Sequence, residues 1–372
     1  MPFDPTSSRY DICWRLCFSV NANITNAFTK YQYIFKHAKS AALSQIALTN
    51  ATLSIPSVRV IHKEWLTKFL FLAEPYLSKV KYLVVADFRA PIMLKNRLHL
   101  MKKIKSLSVV NLNGEIVASL IAALIVHKCI LTEFSFTDST QNSTINTINI
   151  EPVFVFMYDN IQSFDIDFSS KVCNRKNLEC SKLGQHLSKC TNLTSFSFKI
   201  ACHYDFKTED VVDLISKLPT SLLNLKLIFI TNDSKYPFTY TLFDRIVESI
   251  KKLEQLTSIH IEFTHKIASP LDKSRKFPSK LKHITIKGLL LMFTYDHYFC
   301  IGEHISNCKY LDTLTIQNVV FYGEHSLYII WLKLILLRFK KLTCINLENW
   351  YCDFKRRIID VTYIKQIESV FI

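Results

Sequence analysis

The sequence predicts an α/β solenoid: a curved horseshoe in which about ten to eleven repeats each add one strand to a parallel concave sheet and one helix to the convex side. Three observations predict it. A six-residue pattern, apolar-x-x-apolar-x-apolar, recurs about every thirty residues, as in Leu311-Asp-Thr-Leu-Thr-Ile316. Segments with helical spacing lie between the copies. The 372 residues contain only 5 Gly and 10 Pro, which leaves no room for a long flexible linker or a Gly-rich phosphate loop.

Taken in order, the copies are Val80-Lys-Tyr-Leu-Val-Val85, Ile104-Lys-Ser-Leu-Ser-Val109, Leu131-Thr-Glu-Phe-Ser-Phe136, Ile161-Gln-Ser-Phe-Asp-Ile166 and Leu193-Thr-Ser-Phe-Ser-Phe198. They continue as Leu222-Leu-Asn-Leu-Lys-Leu227, Leu256-Thr-Ser-Ile-His-Ile261, Leu281-Lys-His-Ile-Thr-Ile286, Leu311 to Ile316, and Leu342-Thr-Cys-Ile-Asn-Leu347. Leu43-Ser-Gln-Ile-Ala-Leu48 has the form of an eleventh. The last two apolar positions are two apart, which puts both side chains on one face of a strand. The first sits three earlier, where the chain leaves a turn. Helical spacing follows in 115–126, 208–217 and 242–251, where Thr208 with Glu209 and Asp210 supplies a hydroxyl cap and first-turn acids. One strand and one helix cannot bury an apolar face alone, so stacked copies must share a core.

Outside the repeats, residues 1–79 make an N-terminal cap with a first irregular repeat. Within them, 51–79 is expected to be an insert with Trp65 and an apolar helix. Residues 80–350 hold the repeats, and 351–372 an amphipathic C-terminal cap. The polar run Asp138 to Thr147 is expected to be a surface loop.

These copies resemble leucine-rich repeats of the long, ribonuclease-inhibitor-like kind. Cys190-x-x-Leu193-x-x-Phe196 and Cys308-x-x-Leu311-x-x-Leu314 are similar to its cysteine-containing subclass. The resemblance implies protein partners bound on the concave face and its rims. Upstream, Arg15-Leu-Cys-Phe-Ser-Val-Asn-Ala-Asn-Ile-Thr-Asn-Ala-Phe28 and Tyr31-Gln-Tyr-Ile-Phe35 resemble the second half of an F-box. That resemblance implies a ubiquitin-ligase substrate receptor contacting a Skp-type adaptor through residues 12–35. The other reading of the same residues is a plain cap over the open end of the stack.

Composition narrows the function. The chain opens Met1-Pro-Phe-Asp-Pro-Thr, with neither a basic start nor an apolar run, so no secretory leader is expected. Eleven Cys, an odd count set mostly within the apolar frame, are expected to be free thiols in an intracellular protein, cytoplasmic or nuclear. The most apolar stretch, Ser326 to Arg338, is too short to cross a bilayer and carries Lys333, so no membrane span is expected. No Ser/His/Asp order, carboxylate pair or Walker loop appears, and a non-enzyme without cofactor is expected. His297, Cys300, His304 and Cys308 share a helical stripe, but four ligands over three turns cannot converge on one ion, so core packing is expected and no metal.

Three surfaces remain. Outward strand positions run Lys81, Tyr82, Lys105, Ser106, Glu133, Ser163, Asp165, Ser195, Asn224, Lys226, Ser258, His260, His283, Thr313 and Thr343, a face read as mostly small and polar. Loops after the strands carry Tyr204, Tyr236, Tyr240, Tyr298, Tyr322, Trp350 and Tyr351, which either form a partner-binding aromatic ridge or plug the core. Lys81, Lys102, Lys103, Lys105, Lys280, Lys282, Lys340 and Lys341 cluster at strand starts, read as a basic edge without interleaved aromatics. With a net charge of +15, that edge fits an acidic partner, nucleic acid included, or serves solubility and helix dipoles. The function expected is a protein-interaction scaffold or adaptor. The alternatives are the F-box-type receptor and a basic nucleic-acid-associated protein.

Overall fold

The computed structural model describes residues 51–55, 74–85, 92, 94–110, 114–137, 154, 158–169, 180–202, 208–231, 242–268, 275–291, 303–317, 320–321, 339, 341–348 and 357–360. The chain divides into two compact units, Met1–Asp138 with Ile148–Asn160, and Ser139–Thr147 with Ile161–Ile372. Each has a repeating α/β architecture.

In the first unit, β1 (Ala51–Ile55), β2 (Val80–Val85), β3 (Ser106–Val110) and β4 (Glu133–Thr137) pair in parallel in chain order. Strand β1 lies inside the stretch expected to be an insert, so 51–79 contributes to the sheet. Its register slips between Ala51 and Thr52. The Leu43 to Leu48 copy lies outside the described residues. The connections vary. Among the described residues, short 3₁₀ turns occupy Glu74–Lys79 and Lys95–Leu100, and Gly114–Val126 (α1) is an α-helix. Helix α1 buries Val117, Leu120, Ile121 and Leu124, one stripe at spacings of three and four. It ends in a Schellman arrangement: Lys128 N–H donates to Ile125 O at 2.8 Å and Cys129 N–H to Leu124 O at 3.0 Å. The left-handed position is Lys128, with φ 61°, where glycine is usual.

The second unit continues the pattern with β5 (Ser163–Phe168), β6 (Ser195–Cys202), β7 (Asn224–Thr231), β8 (Ser258–Ala268), β9 (His283–Leu291), β10 (Thr313–Gln317), β11 (Val320–Phe321) and β12 (Cys344–Glu348). All pair in parallel, β11 with the end of β9. β13 (Arg357–Asp360) then pairs antiparallel with β12. Helices α2 (Cys180–Leu187), α3 (Thr208–Ser216) and α4 (Leu242–Ile250) connect the early strands. Helix α3 starts at Thr208 with Glu209 and Asp210 in its first turn, as the capping pattern predicts. A Cβ on Gly184 of α2 would sit 3.0 Å from Lys217 Cδ and 3.3 Å from Leu214 Cα, so glycine permits the close approach of α2 to α3.

Between β8 and β9 the described residues Arg275–Lys282 are loop and turn. There Phe277, 2% exposed, packs edge-on against Phe243 and donates its N–H to His304 O at 2.8 Å. This ring packs the 275–282 segment against α4.

The core follows the repeat. The first apolar residue of all ten copies is buried, Val80 through Leu342, and so is the second, Leu83 through Ile345. Fully removing such a side chain from water stabilises by about 1.5–3 kcal/mol. Rings stack from strand to strand: Phe164 on Phe196 at 6.4 Å, and Phe229 on Phe263 at 5.2 Å. Strand starts are tied by one recurring device, in which a carbonyl accepts two N–H groups of the next repeat. Thr257 O takes Lys282 N–H at 2.8 Å and His283 N–H at 3.1 Å; Lys282 O takes Asp312 N–H at 2.8 Å and Thr313 N–H at 3.0 Å. The anchor cysteines are buried and uncrosslinked. The Cys308 thiol donates to Pro278 O at 3.5 Å, and Cys129 to Met101 O at 3.4 Å. Burial pushes the Cys308 thiol up to about 12, which leaves it protonated and unreactive.

Candidate functional site: the outward sheet face of the second unit

Outward positions of the second unit fall into rows across the strands. The first row is Ser163, Ser195, Asn224, Ser258, His283, Thr313 and Cys344. The second is Asp165, Ser197, Lys226, His260, Thr285, Thr315 and Asn346. A third follows: Asp167, Lys199, Ile228, Glu262, Lys287, Gln317 and Glu348. Every one of these residues whose exposure is described is half-buried or exposed. The first two rows contain the second-unit positions expected from the repeat except Thr343, which precedes β12 and gives way to Cys344 and Asn346. The third was missed, because strands β6 to β9 run eight to eleven residues, beyond the six-residue pattern. Its signal is a fourth inward apolar residue two places on: Phe168, Ile200, Phe229 and Phe263 are all buried. The first two rows are mostly small and polar, and the third adds charge in Asp167, Lys199, Glu262, Lys287 and Glu348.

Most of this charge is held in fixed geometry. Lys199 Nζ donates to Asp167 Oδ2 at 2.9 Å. Glu262 Oε2 accepts from His260 Nε2 at 2.9 Å and lies 3.6 Å from Lys287 Nζ. Burial pushes the His260 ring below its ordinary 6.5. The Glu262 hydrogen bond and charge oppose the shift, and the Lys287 and Lys226 charges add to it. Burial pushes the Glu262 carboxyl up, but the His260 hydrogen bond, Lys287 and the His260 charge together hold it below 4.5. At neutral pH the pair is thus a carboxylate and a neutral imidazole. A carboxylate only accepts, so Nε2 carries the proton and Nδ1 presents a lone pair. Lys226, beside His260 in the row, is exposed and makes no ion pair or hydrogen bond among the described residues.

A bulge sits under this cluster. The β8–β9 register shifts between Glu262 and Ile267. Gly288 makes the shift possible: its φ is +78°, and a Cβ there would lie 1.9 Å from Phe263 O.

The other sequence-predicted surfaces divide. Tyr204, Tyr236, Tyr240, Tyr298, Tyr322, Trp350, Tyr351, Lys340 and residues 12–35 lie outside the described residues. In the first unit Lys102, Lys103 and Lys105 are exposed and Lys81 is half-buried. In the second, Lys280, Lys282 and Lys341 are exposed, and two of them bind the preceding repeat. Lys280 Nζ donates to Gln255 Oε1 at 2.8 Å, and Lys341 Nζ lies 4.6 Å from the centroid of the Tyr310 ring. Tyr310 corrects the expectation of a basic edge without aromatics. It occupies the turn position that Lys280 and Lys341 hold in the neighbouring repeats.

His304 and Cys308 are buried, and His297 and Cys300 lie outside the described residues. Both nitrogens of His304 face acceptors: Nδ1 bonds the Arg275 carbonyl, and Nε2 lies 3.8 Å from Asp244 Oδ1. Arg275 in turn donates to Asp244 O at 3.0 Å. This polar knot joins α4, the 275–278 loop and the 303–308 turn. Among the described residues no group of three His, Cys, Asp or Glu is placed to hold a metal ion, and no helix is long and apolar enough to cross a membrane. The Ser326 to Arg338 stretch lies outside that description.

No protein-family model matches the chain, and no curated protein sequence does. Among solved structures it is similar to a Bacteroides fragilis protein determined by a structural genomics consortium. The identity is 10%, the TM-score 0.41, and the match covers 82% of this chain and 80% of that one. A likeness at that level assigns neither fold family nor function.

Proposed function

We propose that the chain is a non-catalytic recognition scaffold of the leucine-rich-repeat type, similar to ribonuclease-inhibitor-like proteins, and that it binds a protein partner on the outward sheet face of its second unit. The observation that carries this reading is the three-row face. It is a broad, water-exposed surface whose charges are fixed by Asp167–Lys199 and His260–Glu262–Lys287 contacts. Preorganised charge of this kind costs little ordering on association and favours specific partners. The buried anchor cysteines Cys190 and Cys308 and the ten buried copies of the pattern support the family resemblance.

The test is a tagged pull-down read by quantitative mass spectrometry, comparing wild type with the combined variant Lys199→Glu, Lys226→Glu and Lys287→Glu. A stoichiometric partner lost from the variant, with circular dichroism unchanged, is the expected outcome. A folded variant that keeps the same partners in the same amounts removes the sheet face from consideration.

A further inference from the structure

Across β5 to β9 the described strand lysines of the outward face are engaged, with one exception. Lys199 is held by Asp167 and Lys287 by Glu262. Lys226, exposed and without an ion pair or hydrogen bond among the described residues, stands between Ser197 and His260 in the second row. Its neighbour supplies a complementary group, since His260 spends its Nε2 proton on Glu262 and keeps Nδ1 as an acceptor. Two strands away in the same row is the carboxylate of Asp165, with Asp167 next to it on β5. The row thus reads carboxylate, hydroxyl, ammonium, imidazole acceptor. At about 4.8 Å per strand, Asp165 and Lys226 are about 10 Å apart, the span of about three residues of extended chain.

We propose that this row binds an extended peptide segment of the protein partner lying across the strands, with an acidic residue on Lys226 and a basic residue about three positions away on Asp165. The acidic residue's carboxylate meets the Lys226 ammonium, and a peptide N–H beside it donates to His260 Nδ1. The assignment rests on the scaffold reading and names the chemistry of its partner. Charge complementarity selects a mixed-charge peptide over a polyanion. Asp165, Asp167 and Glu262 share the face with the lysines, so a continuous run of phosphates or carboxylates would meet repulsion at β5 and again at β8.

Fluorescence anisotropy with labelled synthetic peptides tests this on the full chain. The probes are a Gly/Ser peptide with one Asp and one Arg about three residues apart, the same peptide with Asp replaced by Arg, an oligoglutamate, and an oligothymidylate. The Asp/Arg peptide binds best to wild type, and Lys226→Glu weakens it about tenfold. Lys226→Glu then prefers the peptide in which Arg replaces Asp, a rescue that a merely structural role for Lys226 would not give. Oligoglutamate or oligothymidylate binding as tightly as the mixed peptide would overturn the proposal in favour of a polyanion site. So would an affinity indifferent to Lys226→Glu, or no binding of the mixed peptide to wild type. The pull-down separates the two levels. A partner lost from the combined face variant but kept by Lys226→Glu alone leaves the scaffold reading standing and removes Lys226 as the anchor.

Discussion

The two units build their sheets by one rule and finish them differently. In the first, β2, β3 and β4 stop after five or six residues, and their outward positions are Tyr82, Ser106 and Glu133, then Val84, Ser108 and Ser135, then the uncharged Val110 and Thr137. In the second, the inward alternation goes one step further through Phe168, Ile200, Phe229 and Phe263, and Gly288 holds the same column on β9. Because side chains alternate, each added inward residue lengthens the strand and exposes a further outward one. The row so exposed carries Asp167, Lys199, Glu262 and Lys287. On β5, β6 and β8 the charged third-row residues Asp167, Lys199 and Glu262 thus depend on the core residue that follows each of them.

The most direct way to break that dependence is Phe263→Ala. Its ring stacks on Phe229 at 5.2 Å and is 2% exposed. Truncating such a ring costs about 3–5 kcal/mol. In a repeat array the loss is felt chiefly by adjacent repeats. Native-state hydrogen exchange should therefore show β7, β8 and β9 opening more easily, with β2 to β4 unchanged. Equal loss of protection in both units would mean that the fourth column is not a local support.

The architecture was legible because the repeat repeats. In the ten copies from Val80 to Leu347 every first and second apolar position is buried, and three apolar residues in fixed spacing leave a strand only one face to bury. Two things were harder to see. β1 falls at Ala51–Ile55, where Ala51-Thr-Leu-Ser-Ile55 alternates without the leading apolar residue of the pattern. The third row was hidden because a six-residue motif sets a false end to each strand. The letters that extend it, Asp167-Phe168, Lys199-Ile200 and Glu262-Phe263, are plain alternation once the search runs two residues further. The ion pairs on that row were not legible at all. Asp167 and Lys199 are 32 positions apart and meet only because two strands share a register.

A smaller effect, of opposite sign, distinguishes the first unit. Lys128 holds a left-handed conformation at the end of α1, with φ 61°, and is exposed. A side chain there costs about 1 kcal/mol that glycine avoids. Lys128→Gly should raise the urea midpoint of the first unit by the equivalent of about 0.5–1 kcal/mol, the gain being reduced by the greater freedom of an unfolded glycine. A lower midpoint would mean that the Lys128 side chain makes a stabilising contact larger than the backbone strain.

The smallest expected effect is electrostatic and belongs to the second unit. The folded His260 ring titrates below 6.5, with Lys226, Glu262 and Lys287 acting on it. The unfolded chain therefore takes up that proton first, and stability falls as pH drops from 6.5 through the lower folded value. Glu262, held below 4.5, acts in the same direction further down: its contribution is present above 4.5 and is lost as pH falls through its folded value. Both groups destabilise the second unit on acidification. His260→Gln deletes the first contribution, so its urea midpoint should vary less than that of wild type just below pH 6.5. The rest of the chain is unchanged in the variant, so the difference between the two curves isolates His260. Identical curves would mean that the proton on His260 is indifferent to folding, and that the desolvation of the ring is offset in full by Glu262.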